Sequence, residues 1–163
     1  MATLGRPGTT TRQTRTSGPV QPALSGTVGS ELWTVASAPG ADGKVCQTVV
    51  VRPAQPGATI GRGETEPNSQ PTCAAPPGPR TDPVEGLQYR ELPDASLVTG
   101  LVRTDVKTLR FTSNGISHEA LVSAGNFAVV LPVDARSVVV DVSGESFHAK
   151  CSMSDPVEVV ISC

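Results

Sequence analysis

Aromatic side chains are nearly missing from this chain: it has one Trp, one Tyr and three Phe in 163 residues. Their scarcity removes the stacking platforms on which single-stranded nucleic acid is held. A formal net charge of −2 supplies no basic field for a polyanion or an acidic membrane surface. Nucleic acid is therefore not an expected partner. No run of 18 apolar residues occurs, so no stretch of the chain reads as a membrane-crossing helix. The N-terminus also lacks the apolar core of a secretory signal.

Catalytic signatures are equally scarce. His118 and His148 are the only histidines. "SHEALV" begins like H-E-x-x-H but has no second histidine to complete a zinc site. No C-x-x-C pair occurs, and "SGESF" lacks the second glycine of a nucleophile elbow. Gly57, Gly61 and Gly63 of "GATIGRG" lack the strand-before, helix-after setting of a phosphate loop. The acids Asp134, Asp141 and Glu145 fall near turns, where solvation explains them. No cofactor, no metal and no enzymatic activity are expected.

What the chain does have is valine, glycine and proline: 22 Val, 16 Gly and 15 Pro. Beta-branched side chains are stiff at χ1 and pack well on a pleated surface, and the Gly and Pro punctuate them into short runs. Apolar runs recur every 8–12 residues or so with no useful helical period, which is the spacing of a sandwich or barrel. The expected fold is all-β: an antiparallel β-sandwich, immunoglobulin-like or related, of eight or nine short strands. Residues 1–27 carry six Thr before position 17 and three Arg, with no acid and no apolar period. They are expected to form a disordered linker, dispensable for folding, ahead of a single domain over 28–163.

Within that domain, "SELWTVASA" and "VCQTVVVRP" flank a Gly/Asp turn and read as a hairpin, with Trp33 as a core anchor. Residues 53–83 hold eight prolines and read as a long loop. "SLVTGLV" is a strand in which Gly100 suggests a bulge. Residues 106–144 read as a β-meander supplying half of a core. In it Leu109, Phe111, Phe127, Val129, Leu131, Val138, Val140 and Val142 face inward, and Asn114–Gly115 makes the clearest hairpin turn. "VEVVISC" reads as a last strand with Val157, Val159 and Ile161 aligned.

The four cysteines, Cys46, Cys73, Cys151 and Cys163, read as two structural disulfides of an oxidising compartment. Cys73 stands in sequence with weak structure-forming tendency, so its pinning by Cys46 is the expected bond. Cys151–Cys163 then follows as the remaining pair. Disulfides imply export, so a signal or N-terminal membrane anchor is expected outside this chain.

"GSELWTVASAPGADGKVCQTVVV" followed by a loop cysteine, together with "VTGLVRTDVKTLRFTSNG…SAGNFAVVLP", resembles extracytoplasmic domains of uncharacterised actinobacterial membrane-anchored or secreted proteins. Ten Arg against three Lys suits the high-GC genomes of that group. The resemblance covers residues 28 to about 150 and carries no catalytic residue; the pair Cys151 and Cys163 departs from it. The expected function is a non-catalytic binding, sensor or scaffold module of the cell envelope, with an unidentified protein or envelope component as partner. Its binding surface is expected in the 53–83 loop, where Arg62, Glu64, Glu66 and Arg80 offer charge on a stiffened, displayed segment. Two alternatives stand beside it: a secreted proteinase inhibitor presenting the loop around Cys73, and a small hydrolase with a loop-formed cleft.

Overall fold

A computed structural model of the chain describes residues 21–53, 71–78, 82–145 and 147–163. Among these residues the protein is all-β and antiparallel, as the composition requires. The strands are β1 (Gln21–Val28), β2 (Glu31–Pro39), β3 (Val45–Pro53), β4 (Thr72–Ala74), β5 (Val84–Leu92) and β6 (Ala95–Val102). They continue as β7 (Val106–Ser113), β8 (Ile116–Glu119), β9 (Leu121–Ser123), β10 (Asn126–Leu131), β11 (Val138–Gly144) and β12 (His148–Met153). They form three four-stranded sheets, ordered β1-β2-β3-β4, β5-β6-β10-β9 and β12-β11-β7-β8.

The second sheet is the central layer. Phe127, Val129, Leu131, Val98 and Val102 pack with Leu109, Phe111, Val138, Val140 and Val142 of the third sheet. From the opposite face of the central sheet, Leu97, Ala95, Leu92 and Ala128 pack with Trp33, Val35 and Val49 of the first. Every residue of β6 is buried. In the first sheet, Thr34, Ala36, Ala38, Cys46, Thr48 and Val50 alternate with the residues facing the central sheet and are buried too.

The expected inward faces are correct. Leu109, Phe111, Phe127, Val138, Val140 and Val142 are all fully buried, and Trp33 is a core residue. Phe111 and Phe127 join the third and central sheets, their rings stacked with centroids 6.1 Å apart. The β2–β3 hairpin pairs without a break from Glu31↔Pro53 to Pro39↔Val45. Asn114 and Gly115 both take positive φ (54° and 77°), as a two-residue turn between twisted strands demands.

Five expectations need correction. The strands number twelve among the described residues, not eight or nine. Residues 21–28, placed mostly in the linker, form β1: Leu24 and Val28 pack on the Trp33 cluster, and Gly26 lies under the Trp33 ring. Residues 1–20 lie outside the described residues. The stretch 106–144 is not a meander. Its chain leaves the third sheet after β8, turns at Ala120, whose N–H donates to the Leu109 carbonyl at 2.9 Å, and forms β9–β10 in the central sheet. It then returns as β11 beside β7.

The bulge lies opposite Gly100 rather than at it. Between the pairs Glu85↔Leu101 and Gln88↔Thr99, β5 places Gly86 and Leu87 against the single residue Gly100. A β-carbon at position 100 would sit 2.8 Å from Phe127 Cε2 and 2.9 Å from the Glu85 carbonyl oxygen, so only glycine admits this approach. Finally, "VEVVISC" is not a strand. Asp155 Oδ1 accepts hydrogen bonds from the N–H groups of Val157 and Glu158, which starts a turn, and only the single bridge Ser152↔Ser162 follows. Val157 is exposed as a result.

Truncating Phe127 to Ala removes a buried ring at the junction of two sheets and is expected to cost about 3–5 kcal/mol, read as a lower urea midpoint at unchanged slope. A chain beginning at Val28 is expected to melt several degrees below one beginning at Gln21, because it lacks β1. Equal melting temperatures would show that β1 adds nothing to the fold.

Candidate binding cleft

At one end of the molecule, the start of β1, the turn between β2 and β3, and the β9–β10 turn enclose a cleft of about 580 Å³. The β2–β3 turn closes through Gly40 N–H to the Lys44 carbonyl (2.8 Å) and Lys44 N–H to the Ala41 carbonyl (3.0 Å). Asp42 and Gly43 both take positive φ (57° and 76°) there. This brings the chain back on itself with Lys44 at the rim. Small and apolar groups make most of the wall: Pro22, Ala23, Ala38, Pro39 and Ala124. The polar groups are Gln21, Ser37, Lys44, Ser123 and Asn126.

Asn126 is held from behind. The Gln47 side chain, 1% exposed in β3, spans the gap between the first and central sheets. Its Nε2 donates to Asn126 Oδ1 at 2.7 Å and to the Gly100 carbonyl at 2.8 Å. Asn126 Nδ2 in turn donates to the carbonyls of Ser123 and Ala124, both at 3.3 Å. The two amides are therefore oriented by the network. Flipping either would set oxygen against carbonyl oxygen. Gln47 Oε1 accepts no hydrogen bond. The seam continues along the β3 edge, where Gln88 Nε2 donates to the Gln47 carbonyl (3.3 Å) and Arg90 Nη1 to the Val49 carbonyl (3.4 Å). A sheet edge that would otherwise present bare carbonyls is closed by side chains of the neighbouring sheet.

Both expected disulfides are present. Cys46 and Cys73 are directly opposed in β3 and β4, and Cys151 bonds Cys163. Cys73 thus lies in a short strand, and the 53–83 stretch is not structureless throughout. β4 pairs at the Gln47 end of β3, so the segment after Pro53 is anchored at two points roughly 20 Å apart at the usual rise per strand residue. Arg62, Glu64, Glu66 and Arg80, the residues expected to bind a partner, lie outside the described residues.

The histidines and acids do not converge. His148 Nε2 stands 3.6 Å from Asp141 Oδ1 on the outer face of the third sheet, both side chains open to water. There Lys150, Asp141, Arg110 and Glu119 are cross-strand neighbours in a row of alternating charge. Such exposed pairs contribute little. His118 is half-buried, paired with Phe111, and its Nε2 is unpartnered. Among the described residues no group of three or more His, Cys, Asp or Glu side chains is placed to hold a metal. Arg103 is engaged by both oxygens of Asp105 (3.1 and 2.8 Å) and lies 4.1 Å above the Phe147 ring, which makes it a lock between loops.

Sequence reasoning passed over Gln47, Asn126 and Lys44. The signal was an amide in the middle of "VCQTVVV", a polar residue where an inward face expects an aliphatic one. Comparison of the chain with protein-family models, with curated proteins and with solved structures returned no match.

Asn126→Ala strips Gln47 Nε2 of one buried acceptor and is expected to cost about 1–3 kcal/mol. With Gln47→Leu alongside, the double variant should be less destabilised than the sum of the singles. Strict additivity in urea unfolding would mean that the two amides act independently.

Proposed function

We propose that the chain is a non-catalytic, extracytoplasmic binding module of the cell envelope, and that the cleft beside Asn126 receives its ligand. The carrying observation is the chemistry of the cleft wall. Among its described residues it offers hydroxyls, two amides, one ammonium and apolar surface, which are groups that recognise a ligand. No carboxylate, imidazole or thiol is among them to act as a general acid or base. Asn126, buried and tied to Gln47 and to the Ser123 and Ala124 carbonyls, fixes the back wall of the cleft, so the wall need not be ordered when a ligand arrives.

The extracytoplasmic assignment rests on the cysteines. All four are in disulfides, which form and persist in oxidising compartments. Thr72–Ala74 is paired into a sheet, so the chain around Cys73 is a buttress, which favours the binding-module reading over that of an inhibitor with a bait loop. The 53–83 loop remains part of the proposal as a second contact surface.

The test is a titration of ¹⁵N-labelled protein with soluble muropeptides and with envelope polysaccharide fragments. Shifts confined to the amides of Ser37, Gly40, Lys44 and Ser123 through Asn126, and lost in Lys44→Ala, are expected. Saturating shifts elsewhere with a silent cleft would reject the assigned site.

A further inference from the structure

The segment that follows β12 carries an unusual combination. Ser154 is anchored, its carbonyl accepting the Ser137 N–H at 2.8 Å. Beyond it the chain turns through Asp155–Glu158 and passes Val159, whose φ is +47°. A β-branched residue in the left-handed region is a genuine outlier, and it persists only where its surroundings hold it there. Three things hold it. Ser152 and Ser162 exchange two backbone hydrogen bonds (2.8 and 2.9 Å). Ile161 is buried among the residues of the core shared by the central and third sheets. Cys163 is bonded to Cys151. Of the rest of the segment, Pro156 is buried, while Val157 and Val160 are 63% and 58% exposed.

The disulfide is also asymmetric. Cys151 is 3% exposed inside β12, whereas Cys163 is exposed. An incoming thiolate therefore meets the Cys163 sulfur first.

We propose that residues 155–163 form a redox-released latch on the outer edge of β12. An external dithiol supplies the electrons. One of its thiolates attacks Cys163 Sγ, forming a mixed disulfide and expelling Cys151 as a thiolate that takes up a proton. The second thiol of the reductant then displaces Cys163, leaving a cyclic disulfide on the reductant and two thiols on the protein. Two electrons and two protons are transferred. With the covalent tie gone, the two Ser152–Ser162 hydrogen bonds and the buried Pro156 and Ile161 must hold a segment that Val159 biases towards opening. Release uncovers the β12 edge and the seat of Ile161, while the paired strands β7, β11 and β12 keep their register. This inference is independent of what the cleft binds.

Hydrogen exchange on the full chain tests it. In the oxidised protein the Ser152 and Ser162 amides are expected to be protected. In Cys151→Ser/Cys163→Ser, and in wild type treated with dithiothreitol, both should exchange at least ten-fold faster while Phe111 and Val140 amides are unchanged. Cys46→Ser/Cys73→Ser should leave Ser152 and Ser162 as slow as in the oxidised wild type. Adding Val159→Gly to the cysteine-free latch should slow their exchange several-fold again, because glycine accepts the positive φ. Unchanged exchange at Ser152 and Ser162 without the disulfide would overturn the latch. So would acceleration of Phe111 and Val140 together with them, which would make the bond a general staple of the fold.

Discussion

Burial of the central sheet on both of its faces is the constraint from which the rest of the architecture follows. β6 has no exposed residue, so all of its backbone groups must be paired within the sheet and both of its side-chain rows must find partners. One row meets the third sheet through Val98 and Val102, the other meets the first through Ala95 and Leu97. The space for Phe127 exists only because position 100 has no side chain and β5 bulges around it. The same glycine lends its carbonyl to Gln47, so the packing of one interface and the polar tie of the other meet at a single residue.

A layered stack of this kind leaves strand edges, and the described edges are treated in different ways. β3 is covered over its first residues by β4 and further along by the Gln88 and Arg90 side chains. β12 is covered by the bridge to Ser162. In both cases the covering segment is short, poor in buried apolar surface, and tied by a disulfide to the strand it covers. Closing loops of 27 and 12 residues removes unfolded-chain entropy worth about 3–4 and about 3 kcal/mol in the chain-entropy description. The disulfides thus stand where hydrophobic burial alone gives least, which also explains why Cys73 is found amid such weak structure-forming sequence.

Most strands were legible because their cause is local. The alternation in "FAVVLP" and "SVVVDV" puts one face in the core whatever the partner, and Asn-Gly selects a two-residue turn by its φ preference alone. β1 was illegible for the opposite reason. It holds Pro22 and a register shift between Pro22 and Leu24, and its few apolar residues gain meaning only when Gly26 lies under the Trp33 ring. "ISHEALV" reads as one strand, yet Ala120 divides it between two sheets. "VEVVISC" alternates as a strand should, but the Asp155 carboxylate captures two N–H groups at its start and turns the chain before it can pair. Of the site, only a misplaced glutamine in a valine run was visible.

By itself, then, the sequence determined the all-β class, the Asn114–Gly115 turn and the buried faces of the central strands. Each of these depends on side-chain alternation or on the φ a residue tolerates, whereas four cysteines alone allow three pairings. Only the tertiary structure decided how strands are shared among three sheets, and hence the cleft: Gln47 and Asn126 are 79 residues apart and meet because two sheets stack. A period of two states which face of a strand is apolar but never which strand lies opposite. A site built where two turns and a strand end from two sheets converge is written in that missing information.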